Sequence, residues 1–179
     1  MLISEPLARA SRVVSYLSAA GAVLVPAGTA LAFVSPIWAQ RIGMEFRHGL
    51  SHLGGNVPFN DRLFACFFAM LPAAIATFGL VALTRLLQLY SKGDVFGRDA
   101  LKALGQITTA LFWYAVAAFV TEAPITWFLT RNYPSHRGEL QLTIQAGDIE
   151  ILFFAAVALV IARVMAEPRR VADENEAFV

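Results

Sequence analysis

Four runs of about twenty mainly apolar residues divide this sequence, and each is long enough as a helix to cross roughly 30 Å of hydrocarbon. They are Val13 to Val34, Leu63 to Thr84, Ile107 to Phe128 and Ile149 to Ala166. A backbone in lipid must satisfy its own hydrogen bonds, so each run is read as a helix. Of the chain's 179 residues, 58% are hydrophobic and 15% charged. A water-soluble domain carries roughly 25% charge, so too little is available here to cover a water-facing surface. The predicted fold is all-α: a single integral membrane bundle of four transmembrane helices, residues 1–179, with the lipid bilayer as its first partner.

Prolines at Pro26, Pro72 and Pro124 fall inside three of the runs. Each removes a backbone donor and is expected to kink its helix. The first run also carries Ser18, Gly21, Ala22, Ala27, Gly28 and Ala30, small residues that let helices approach closely. That face would suit packing within the bundle or a homo-oligomer. Arg9 and Arg12 followed by an apolar run and TALA resemble a secretion signal. The run is longer than the roughly 7–15 residues of a signal core, so it is read as a retained span.

Lysine and arginine favour the cytoplasmic side. With four spans, both termini share a side with the middle loop. That side holds Arg9, Arg12, Arg85, Lys92, Arg98, Lys102, Arg163, Arg169 and Arg170, against Arg41, Arg47, Arg62, Arg131 and Arg137 on the other. Both termini are therefore predicted cytoplasmic. Residues 85–106 become a cytoplasmic hairpin and residues 167–179 a cytoplasmic tail. Leu86, Leu87, Leu89 and Tyr90 prolong the second helix, and Leu101, Leu104 and Ile107 lead into the third at helical spacing. The second and third helices should thus be long and project beyond the membrane. Gly93 and Gly97 permit the turn between them.

The net charge is +1, so direct nucleic-acid binding is not expected. The one cysteine, Cys66, allows no intrachain disulfide and is read as a small apolar packing residue.

The turn Lys92, Gly93, Asp94, Val95, Phe96 and the closing stretch Ala172 to Val179 (ADENEAFV) carry a resemblance. Long helix, KGDVF turn, regularly spaced leucines, span and acidic end together resemble the bacterial family catalogued as domain of unknown function 2975. The resemblance implies a small four-span protein of the bacterial inner membrane, often encoded beside a helix-turn-helix regulator. Gly97 departs from the pattern, since many members place a helix-capping Ser or Thr there. No catalytic residue follows from the resemblance, and neither an enzyme nor a cofactor is expected.

Among chemistry-bearing residues, Glu122 in the third span stands first. A carboxyl group within a span is costly and is a functional hypothesis by default. It would hydrogen-bond within the bundle, or serve sensing or proton movement. Asp148 and Glu150 open the fourth helix, where acids suit the dipole; they would otherwise face Arg131 or Arg137. Glu45, His48 and His52 share one face if their loop is helical, the arrangement a metal needs. The zinc-protease glutamate between the histidines is missing, and a polar outer cap is the favoured reading. The stretch from Leu140 to Ile144 alternates as a short hairpin would. Lys92, Gly93, Asp94, Phe96, Asp173, Glu174, Glu176 and Phe178 are candidates for holding a soluble cytoplasmic regulator. The favoured function is a non-enzymatic membrane sensor or regulatory partner; the alternatives are a small ion- or proton-linked transporter or channel using Glu122, and a membrane enzyme using Glu45, His48 and His52.

Overall fold

The structure, a computed structural model, describes residues 5–35, 57–93, 97–132 and 146–176. It is all-helical. Four helices follow in order: α1 (Glu5–Val34), α2 (Phe59–Ser91), α3 (Arg98–Thr130) and α4 (Ala146–Glu176). Each contains one of the predicted spans and outruns it. Among the described residues, three helices are long and apolar enough to cross a membrane: α1 from Ser11, α2 and α3.

The packing is inverted relative to a soluble domain. Among the described residues, every buried apolar side chain is an alanine except Cys66 and Leu86. Large apolar residues point outward instead, among them Phe67, Leu24, Phe154, Val23 and Trp113. Water would penalise such a surface, because soluble chains rarely expose apolar patches beyond a few hundred Å². Lipid does not penalise it. Small residues then belong at the helix interfaces, where attraction comes from close backbone approach.

Each helix packs on its neighbour in the chain: α1 on α2, α2 on α3, α3 on α4. Among the described residues no other pair is in contact, so the helices form an open row rather than a closed ring. The predicted small-residue face of α1 is only partly used. Ser11, Ser15, Ser18 and Ala22 are buried at helical spacing, and a Cβ on Gly21 would meet Leu80 of α2 at 3.4 Å. Ala27 is exposed, and nothing lies within 4 Å of a Cβ at Gly28.

The α2–α3 pair is antiparallel and close. A Cβ built on Gly79 would lie 3.2 Å from the Cβ of Ala110, so the absent side chain is what lets the helices meet there. Pro26, Pro72 and Pro124 all lie within continuous helices. Hydroxyls turn back on their own helix: buried Thr121 donates to the Ala117 carbonyl at 2.7 Å, and half-buried Thr126 to that of Glu122 at 2.9 Å. Such back-bonding satisfies a polar group without needing a neighbour.

At the hairpin end, Leu86, Ala100 and Ala103 form a small core, flanked by Leu89, Tyr90, Leu104 and Ile107. Leu86, Leu89, Tyr90, Leu104 and Ile107 are among the residues that predicted the prolonged helices; Ala100 and Ala103 are added by the packing. α2 stops at Ser91; the Lys92 and Gly93 amides donate to the Leu89 and Tyr90 carbonyls at 3.0 and 3.1 Å. Gly93 adopts φ 92°, a conformation that costs any other residue. Gly97 caps α3 through its backbone alone, with no side-chain cap bond. Its carbonyl accepts from the Leu101 amide at 3.1 Å. Asp99 lies in the first turn of α3, as the dipole favours.

Candidate functional site

The densest polar arrangement lies where α2 begins and α3 ends, opposite the hairpin. Asp61, in the first turn of α2, is 1% exposed. Its Oδ1 accepts from Arg131 Nη2 and its Oδ2 from Asn132 Nδ2, so both carboxylate oxygens are engaged. Burying a carboxylate is tolerable only when it is paired and hydrogen-bonded, and this one is both.

Aromatic rings frame the pair. The Arg131 guanidinium lies 5.6 Å from the Trp127 ring and 5.3 Å from that of Phe128. Phe128 stacks on Phe64 of α2 at 5.0 Å with 15° between planes, and Phe68 adds a third ring at 6.0 Å. Trp127 meets Phe128 edge-on at 4.9 Å. The rings join the two helices and position the guanidinium over the carboxylate.

Arg62 follows Asp61 but faces elsewhere. Eighteen residues make about five helical turns, which puts Arg62 above Leu80, on the side of α2 that meets Gly21 of α1. Its guanidinium lies 5.8 Å from the Phe59 ring. Its Nε and Nη1 are buried and make no hydrogen bond.

Glu122 is buried within α3, 8% exposed, beside Thr121, which is also buried. It lies nine residues before Arg131, roughly 13 Å along the helix axis. It is thus separate from the Asp61 pair, with the Trp127 and Phe128 level between them.

Other predicted residues are more scattered. Lys92 is exposed at the α2 C-terminus and Gly93 forms the turn. Asp173, Glu174 and Glu176 fall in α4, which continues past the predicted end of its span to Glu176. Glu150 is exposed, and the ion pair of Arg131 is with Asp61. Cys66 is buried, as a packing residue should be. Glu45, His48, His52, Asp94, Phe96, Phe178 and the stretch from Leu140 to Ile144 lie outside the described residues. Among the described residues, no three His, Cys, Asp or Glu side chains gather as metal ligands would.

Asp61 is the residue that sequence reasoning missed. Drawing the second span from Leu63 left it in a loop. The available signal was an acid two residues ahead of a long apolar run, in what becomes a first helical turn.

Long apolar helices with alanines inside and large side chains outside define a membrane-embedded helical protein. The chain belongs to the family described as Protein of unknown function (DUF2975), whose model matches residues 6–179. No curated protein and no solved structure matches it.

Proposed function

We propose that this protein is a non-enzymatic membrane sensor or regulatory partner that holds a soluble cytoplasmic protein such as a transcription regulator. In this reading all four helices span the bacterial inner membrane, and both termini are cytoplasmic. The observation that supports it is the end of the α2–α3 pair. There the helices outrun the predicted spans, pack on their own small core of Leu86, Ala100 and Ala103, and present Arg85, Lys92, Arg98, Asp99 and Lys102 outward. A packed, charged hairpin at the end of a membrane helix pair is a preformed docking surface, and preformed surfaces bind at lower entropic cost. The acidic end of α4 and Phe178 would add a second point of attachment.

The test is chemical crosslinking in intact cells, purification through an N-terminal tag and identification of what co-purifies. A specific soluble protein, lost when Lys92 and Phe96 are replaced or residues 171–179 deleted, is the expected result. Unchanged recovery in both variants, or recovery of this chain alone, sinks the reading.

A second reading, proton- or ion-linked transport, draws on the buried carboxyl group of Glu122. It predicts flux in proteoliposomes that disappears in Glu122→Gln. Equal flux in the two proteins removes it.

A further inference from the structure

Among the described residues, the Arg62 guanidinium is a buried polar group whose surroundings do not account for it. Nε and Nη1 have left water without gaining an acceptor. An unmade hydrogen bond on a buried charged donor is among the costlier arrangements in a protein, so an acceptor is expected there. The adjacent carboxylate cannot supply it. Asp61 turns toward α3, and its oxygens are held by Arg131 and Asn132.

The neighbouring surface indicates what would. Phe59, whose ring lies beside the guanidinium, is 52% exposed, and Leu63 and Phe67 extend that apolar strip along α2. Charge therefore lies where the polar end of α2 meets a surface made for acyl chains. The complementary ligand carries an anionic oxygen group joined to hydrocarbon. Arginine suits phosphate particularly, with planar donors that match its oxygens.

We propose that Arg62 binds the phosphate of an anionic phospholipid headgroup, with the acyl chains lying along Phe59, Leu63 and Phe67. This needs the membrane embedding of the chain but not the regulatory reading above. The lipid completes the hydrogen bonding of a buried charge, and so acts as a part of the folded protein rather than as bulk solvent.

The experiment uses the full chain, purified and delipidated in neutral detergent, with binding of phosphatidylglycerol titrated by native mass spectrometry. Phosphatidylcholine and inorganic phosphate form the comparison arms. The tightest phosphatidylglycerol site should weaken roughly tenfold to a hundredfold in Arg62→Gln, the loss of one charge-assisted contact. Arg62→Lys keeps the charge and the fold, and should weaken the site by less. Lys102→Gln, at the hairpin end, should leave it unchanged. Equal binding by wild type and Arg62→Gln overturns the proposal. So does an equal loss in Lys102→Gln, which marks diffuse attraction to basic residues. Inorganic phosphate displacing the lipid from this site at comparable concentration assigns the site to the free anion and overturns the lipid. Should Arg62→Gln not fold, the Arg62→Lys titration decides alone: an affinity equal to wild type overturns the proposal.

Discussion

The two ends of the α2–α3 pair are closed by opposite means. At the hairpin end the chain itself joins the helices, and alanines and leucines pack beneath the turn. At the other end no short turn holds them. There a buried carboxylate, a guanidinium and an amide make the connection, braced by stacked rings. The apolar closure is insensitive to charge and forgiving of small changes in shape. The polar closure depends on all of its members, because each would be costly alone.

The polar end should break unevenly, and this is the largest expected effect. Removing the guanidinium in Arg131→Gln leaves the carboxylate of Asp61 buried without its charge partner, which costs about 3–5 kcal/mol for a buried pair. Removing the carboxylate charge in Asp61→Asn leaves Arg131 with a 37% exposed side chain that can turn to water, a loss of about 1–2 kcal/mol. Thermal unfolding of both variants in detergent, with the double variant to complete the cycle, checks the asymmetry. Equal losses would show that the pair behaves as a surface ion pair. The apolar end should respond between these limits. Leu86→Ala opens a cavity in a small core and should cost about 2–3 kcal/mol, since the site can partly collapse around alanine neighbours. An effect larger than that of Arg131→Gln would reverse the ranking of the two ends.

The smallest effect tests the close approach midway between them. Gly79→Ala places a methyl group against Ala110 and should cost about 1 kcal/mol through a small displacement of the helices. Gly28→Ala meets nothing and should be neutral or stabilising by up to about 1 kcal/mol, from helix propensity alone. Similar shifts for both in the same unfolding measurement would mean that α2 and α3 are not held in contact at Gly79.

The helices were legible because length and hydropathy leave a lipid-exposed chain few alternatives. Val13 to Val34 could only be a helix, and so it is within α1. The leucines after Thr84 gave the prolonged hairpin for the same reason: their period is helical whether the solvent is lipid or water. Packing was less legible. Gly21 and Gly28 look alike in the sequence, yet one meets Leu80 and the other meets nothing, since a neighbour's position is not written in local spacing. Glu122 could be found because a charge inside an apolar run is conspicuous. Asp61 could not be found the same way. At the edge of a run an acid looks like solvent-facing decoration, and only its partner seventy residues away, Arg131, shows that it is interior.

The row of helices bears on how the molecule is made. Each described contact joins a helix to the one synthesised just before or after it. A newly made helix therefore finds its docking surface already in place. No early segment must wait, exposed, for a distant one. Low contact order of this kind favours rapid assembly. The order of translation can serve as the order of construction, with α4 laid last against α3 and the α1–α2–α3 unit complete before it arrives.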